Sequence, residues 1–252
     1  MKDLTDVKIY CINLDNRQDR MELFNAQAAL SAMPHIQRIS GVEGQSIEVI
    51  NNKQIGLQTR VQLTTSYRRS HYEIHSKGAI GASLSHYKTW KEFLKSGAKY
   101  ALVMEDDAEL PSTFAMMFNH TIKNLPLSWD LWILGWNHSP TDLNEKDREP
   151  FRQILHFIGA HCYLITRKTA KLFIKEMFPI ETHIEHFMSN VAYMNNLRII
   201  RNIGFHVSQF DRTKNISDVR KPEGCPTCLV DDNAQANDAR RRNMLNIGTN
   251  VK

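Results

Sequence analysis

Tyr100-Ala101-Leu102-Val103-Met104-Glu105-Asp106-Asp107 is an apolar run that stops on three consecutive carboxylates. Its first five residues read as a buried strand. Side chains alternate along an extended segment, so Glu105 and Asp107 are expected on one side and Asp106 on the other. Two same-side carboxylates at a strand end suit a hard divalent cation, which takes oxygen ligands and bridges phosphates. The plain alternative is a solvated acidic turn, or helix-start charges ahead of Ser112.

Before this strand, Val7–Leu14 reads as another, and Asp15-Asn16 as a helix start, with Met21, Phe24 and Ala28 at helical spacing up to Pro34. A strand over His35–Ile39 ends at Gly41-Val42-Glu43-Gly44, and residues 45–75 are polar and irregular, as a loop over a site would be. Ile80, Leu84, Tyr87 and Leu94 then mark one face of a helix ending near Ser96-Gly97. After the carboxylates come a helix over Ser112–Asn124, a strand over Asp130–Leu134 and a polar loop over 137–153. A strand over Ala160–Ile165 leads to helices over Thr166–Met177, capped by Thr166, and Thr182–Asn195, then a strand over Leu197–Ile203. Alternating strands and helices predict an α/β sandwich with a largely parallel sheet, its ligands at the carboxyl ends of the strands. Residues 1–213 are taken as the domain and 214–252, rich in Lys, Asn and Asp, as a wrapping tail.

The chain has 252 residues, 42% of them hydrophobic and 23% charged, which places it among ordinary globular proteins. No apolar run approaches the ~20 residues of a membrane span, and the polar start at Met1-Lys2-Asp3 shows no signal peptide, so a cytoplasmic location is expected. The net charge of +5 is scattered over Arg17, Arg20, Arg68, Arg69, Arg198, Arg201 and Arg240 to Arg242. That scatter favours a phosphate-bearing small ligand over nucleic acid. Cys11 and Cys162 sit in apolar runs as buried small hydrophobes. His183-x-x-His186 and Cys225-x-x-Cys228 have the residue types and local spacing of a structural zinc site joining tail to body.

Several blocks resemble glycosyltransferase family 25, which includes bacterial lipooligosaccharide galactosyltransferases and collagen hydroxylysine galactosyltransferases, with viral relatives. They are Ile9-Tyr10-Cys11-Ile12-Asn13-Leu14-Asp15 with Arg17 and Asp19-Arg20, then Arg38 to Gly44, then Gly78-Ala79-Ile80-Gly81-Ala82-Ser83-Leu84-Ser85-His86. Trp90, Ala101 to Ala108, Trp129-Asp130 and Gly159 to Thr166 follow in the family's order, covering about residues 7–210. The resemblance implies a GT-A fold, a Rossmann-like α/β/α sandwich, with a UDP-sugar donor, a Mn²⁺ or Mg²⁺ cofactor and inversion at the anomeric carbon. It places Glu105-Asp106-Asp107 where such enzymes carry their Asp-x-Asp motif. The acceptor it implies is a saccharide or the hydroxylysine of a collagen-like protein, and the sugar galactose or glucose. A silent member serving as a binding module, or a zinc-stapled interaction protein, are the competing classes.

Asp107 is the first metal ligand on this reading; Glu105 shares the ion or holds the ribose, and Asp106 faces the sugar or the loop. Leu14, Asp15 and Arg17 follow the first strand, where a base and ribose would dock. Gly78 and Gly81 would admit the donor close to the backbone, while Ser83 and Ser85 contact it or cap the helix, and His86 is a ligand contact or a core histidine. An inverting transferase needs one general base; Glu185, Glu181 and Asp130 are candidates, and the resemblance of Ile184-Glu185-His186-Phe187 to the family's later Val-Asp-x-Phe-like segment implies Glu185. The resemblance suggests a late histidine, His206, as third metal ligand, and Trp136 is placed to stack on an acceptor ring.

Overall fold

The computed structural model describes residues 3–65, 73–142 and 150–210 of the chain. In chain order these form β1 (Lys8–Asn13), α1 (Gln18–Leu30), β2 (Gln37–Ser40), α2 (Leu57–Thr65), α3 (Lys77–Lys95), β3 (Tyr100–Glu105), β4 (Ala108–Glu109) and α4 (Phe114–Thr121). There follow β5 (Leu131–Gly135), β6 (His138–Asp142), β7 (Phe151–Ile158), β8 (Cys162–Thr166), α5 (Arg167–Glu176), α6 (Ile184–Met194), β9 (Ile199–Asn202) and β10 (Ser208–Gln209).

Eight strands make one sheet in the order β2-β1-β3-β8-β5-β9-β7-β6, and β10 pairs with β4 as a separate ribbon. Strands β2, β1, β3, β5, β9 and β6 point one way, and β8 and β7 run against them. The sheet is therefore mostly parallel in direction, with two reversed strands set into it. Strand alternation divides the side chains between two cores. Tyr10, Ile12, Val103, Ile133 and Tyr163 pack under α3, α5 and α6 with Trp90, Phe93, Phe173 and Met188. Ile9, Cys11, Leu102, Met104, Trp132 and Leu164 face the other way, against Phe24 and Ala28 of α1 and Phe114 and Phe118 of α4. This is the three-layer α/β/α sandwich the strand–helix alternation predicts, and Cys11 and Cys162 are buried within it.

Two regions depart from the sequence reading. The stretch 45–75 contains α2, whose buried side chains are Thr59 and Gln62 while Leu57 and Val61 are exposed, so hydrophobic periodicity points the wrong way. The segment 137–153, expected as a loop, carries β6 and the start of β7, paired antiparallel with shifted register. Its His138-Ser139-Pro140-Thr141-Asp142 strand is polar and contains proline, which only an edge position tolerates, and β6 is at the edge. Thr166 does cap α5, accepting the Thr169 backbone N–H at 3.2 Å. The cap of α3 is Ser76, accepting the Ala79 N–H at 3.2 Å, rather than Ser83 or Ser85 further along. No described helix is long and apolar enough to cross a membrane. The tail 214–252 lies outside the described residues.

Candidate active site

Parallel pairing sets Ile12 of β1 beside Glu105 of β3, so the two strands end together. Beyond Glu105 the chain turns: the Asp106 N–H donates to the Ile12 carbonyl at 3.0 Å, and β4 then pairs with β10. Glu105, Asp106 and Asp107 all line one cleft, whose space, open solvent included, is about 710 Å³. Alternation holds from Glu105, which meets His86 of α3, to Asp106, which meets Arg20 of α1; it fails at Asp107, which lies on the Arg20 side with Asp106 rather than with Glu105. Asp106 is buried, its carboxylate accepting from Nδ2 of Asn13 at 2.7 Å and from Nη1 of Arg20 at 3.3 Å.

Asn13 and Arg20 carry roles here that no motif in the sequence marks. The Asn13 side chain also donates to the Arg17 carbonyl at 2.8 Å and accepts from Nε of Arg38 at 2.8 Å. Arg20 is buried on α1 with Phe24 and Ala28. The signal was present, because positions 20, 24 and 28 are successive turns of one helix face. A guanidinium on an apolar face needs anions to meet, and Arg20 meets Asp106, with Asp107 at 3.9 Å.

Asp107 has a different environment. Nε2 of Gln209 donates to its Oδ2 at 2.8 Å, while its buried Oδ1 has no hydrogen-bond partner. Burial, then the charges of Glu105 and Asp106, push its carboxyl up to about 7 against the partial relief of Arg20. Burial also raises Asp106, against the hydrogen bond from Asn13 and the charge of Arg20. Glu105 is pushed up by burial too, but its hydrogen bond to His86 and the positive groups around it outweigh that, and it ends below the ordinary carboxylate value. Nε2 of His86 lies 3.0 Å from its Oε1. The cleft therefore holds four carboxylates, Glu43 at its edge among them, against the Arg20 guanidinium, with one buried oxygen left unmet.

The other expected site residues divide. Leu14, Gly78 and His86 line the cleft, as does Ser85, whose hydroxyl donates to the Gly81 carbonyl and accepts the Val42 N–H. Ser83 does not; its hydroxyl is spent on the Ala79 carbonyl within α3. Gly81 serves chain-to-chain approach rather than a donor, since a Cβ there would stand 2.5 Å from the Val42 carbonyl oxygen. Asp15 is exposed and bound to Arg38 and Ser40, and Arg17 pairs with Asp19 at 3.1 Å. Neither of these two lines the cleft.

Among the expected bases, Asp130 precedes β5 and so stands at the end of the sheet opposite the carboxylates. Its Oδ2 accepts the Arg198 backbone N–H at 2.9 Å, which makes it a structural carboxylate and removes it as a base. Glu181 is exposed, with its side chain packed close against Gly56 ahead of α2 and away from the cleft lining. Glu185, in the first turn of α6, is pushed up by burial, and the charge of Glu105 adds to that rise. Like Glu181 it is not among the residues that line the cleft; of the three candidate bases it is the one whose carboxyl the Glu105 charge raises. His206, expected as a metal ligand, instead faces Trp136, its Nε2 3.0 Å from the Trp136 carbonyl and the rings 4.2 Å apart. Gln209 from the same segment is the residue that reaches Asp107. His186 meets His156, ring nitrogens 2.6 Å apart; His183 lies against His75, and Cys225 and Cys228 fall outside the described residues. Among the described residues no three His, Cys, Asp or Glu side chains converge at metal-ligand spacing.

Residues 6–188 match glycosyltransferase family 25 (LPS biosynthesis protein). Procollagen galactosyltransferase 1 of Danio rerio is 27% identical over 151 residues, 55% of this chain and 23% of that protein. Inactive glycosyltransferase 25 family member 3 of Homo sapiens is 30% identical over 133 residues, 51% of this chain and 21% of that protein. The chain thus spans about a quarter or less of the length of these two relatives. UDP-glucose pyrophosphorylase complexed with UDP-glucose superposes with a TM-score of 0.44 at 10% identity, covering 81% of this chain and 91% of that one. With a family match running through both β1 and the carboxylate turn, the chain belongs to glycosyltransferase family 25.

Proposed function

We propose that this chain transfers a hexose, galactose or glucose, from a UDP-sugar to a hydroxyl acceptor with inversion, using a Mn²⁺ or Mg²⁺ ion. The observation that carries the reading is the unmet Oδ1 of Asp107, a buried carboxylate oxygen in a cleft with an excess of negative side chains. An orphaned anionic oxygen costs a few kcal/mol unless a ligand meets it. A cation would, and Asp107 with Glu105 would hold it. Two carboxylates suffice, because such ions are commonly held by one or two carboxylates together with substrate phosphates. When bound, the ion offsets the charge that builds on the departing diphosphate.

The protein's own groups do the remaining work. Asn13 and Arg20 anchor Asp106 and so hold the turn that presents Asp107. Glu185 takes the proton of the acceptor hydroxyl at its carboxylate, and its burial makes that carboxylate more basic than an ordinary glutamate. The acceptor is a saccharide or a hydroxylysine, by similarity to a family described by LPS biosynthesis and to procollagen galactosyltransferases. Likeness to a relative named inactive favours a second reading, a binding module without turnover.

Titrating UDP with and without Mn²⁺ tests the first step: tight binding only with the ion is expected, and metal-independent binding would defeat the assignment. Turnover separates the two readings. Glu185→Gln should lower kcat of transfer by roughly 10²–10⁴ while leaving the donor's KM unchanged. A kcat close to wild type would remove Glu185 as the base.

A further inference from the structure

Behind Glu105 the core holds a chain of polar groups: Trp90, Tyr163 and His86 are each 1% exposed or less. His86 and Trp90 are one turn apart on α3, so both rings reach the same strand face. That strand is β8, where Tyr163 is paired with Val103, the neighbour of Glu105 two residues earlier on the same side of β3. Nε1 of Trp90 donates to the Tyr163 hydroxyl at 2.9 Å. An indole can only donate, so the Tyr163 oxygen accepts there, and its own proton goes to Nδ1 of His86, 2.8 Å away. With Nδ1 accepting, Nε2 carries the ring proton and donates to Oε1 of Glu105 at 3.0 Å. Every donor points toward the cleft. A buried polar chain is costly unless each member is satisfied, and here the satisfied arrangement has one direction only.

We propose that Tyr163 is a positioning residue for the cleft: through the Nε2–H tautomer of His86 it commits Oε1 of Glu105 and leaves Oε2 as the atom for a ligand. Rotation of the imidazole would break two hydrogen bonds at once, so the carboxylate is held by a ring that cannot turn. Ring contacts stiffen the frame, with Trp90 5.1 Å from Phe173 and His86 5.6 Å from Tyr163 between centroids. The consequence for a cation rests on the reading above that Glu105 shares one, whereas the tautomer does not.

Nitrogen-15 NMR of histidine-labelled, metal-free protein should show the neutral His86 ring protonated at Nε2. Tyr163→Phe removes one hydroxyl from a well-packed ring and should weaken Mn²⁺ binding, followed by electron paramagnetic resonance, by about tenfold. His86→Gln, whose amide still donates, should retain more of that affinity than His86→Leu, and this pair carries the test should Tyr163→Phe not fold. A ring protonated at Nδ1 in the wild type would overturn the proposal. So would Tyr163→Phe protein, or both His86 variants, binding Mn²⁺ like the wild type. If the wild type takes up no Mn²⁺ yet shows the Nε2–H ring, the metal reading fails while the positioning of Glu105 is supported.

Discussion

Asp130 and Asp107 are the same side chain at opposite ends of one sheet. Asp130 precedes β5, and its environment closes around it: Oδ2 accepts the Arg198 N–H, Oδ1 lies 3.5 Å from Nζ of Lys168, and its carbonyl accepts from Thr166 and Thr169. It ties β5 to the chain entering β9 and to the start of α5. Asp107 follows β3, its carbonyl accepting the Phe210 N–H and its Oδ2 one bond from Gln209, and it keeps Oδ1 buried with no hydrogen-bond partner. One carboxylate is spent on the fold. The other is held by the fold at a cost, surrounded by like charge. A carboxylate's role in this protein is read from what its oxygens lack.

The contrast can be broken in three places. The largest effect is expected for Asp107→Asn, which should lower metal-dependent transfer by roughly a hundredfold or more while the protein stays folded; wild-type-like turnover would remove the carboxylate cluster from the chemistry. Asp130→Ala should behave inversely, losing about 1 kcal/mol of stability in denaturant unfolding because it strands a partly buried backbone donor. Its Mn²⁺-dependent UDP binding should be unchanged, and a loss of that binding would blur the distinction between the two ends. The smallest effect is in pH dependence. Asp107 has its carboxyl raised from 3.8 to about 7 by folding, so its stabilising share is present below about 3.8 and lost as pH rises through about 7. Metal-free Asp107→Asn should therefore gain stability relative to wild type across that window and hold a constant difference above it. A difference that does not change with pH would show that Asp107 is not the strained group.

Much of the fold was legible along the chain because its strands are apolar and its breaks are sharp. The Leu102–Met104 run and the apolar run of Ile9 to Ile12 are buried on both faces, and such strands carry their signal in composition alone. The helix α2 and the strand β6 were not legible, for opposite physical reasons. The first turns its polar Thr59 and Gln62 inward, and the second is a proline-bearing polar strand at the sheet edge, paired to β7, whose sequence carries no apolar alternation. At the site, the carboxylates and His86 were readable from type and order. Their roles relative to one another were not, because alternation predicts the direction of a side chain only while the chain remains extended, and it turns after Glu105.

The triplet Glu105-Asp106-Asp107 at the end of an apolar strand was thus a property of sequence, as was the family order of its neighbouring blocks, since both depend only on residues close in the chain. Only the tertiary structure decided which oxygen was left unmet. Asn13 and Arg20 come to Asp106 from 93 and 86 residues away, and Gln209 comes to Asp107 from 102. Those distances along the chain also separate the expectation for His206 from the contact that Gln209 makes. A late histidine is visible as a residue type, but whether it or the glutamine three positions on reaches a carboxylate depends on the pairing of β10 with β4, which aligns Gln209 with Ala108 beside the turn.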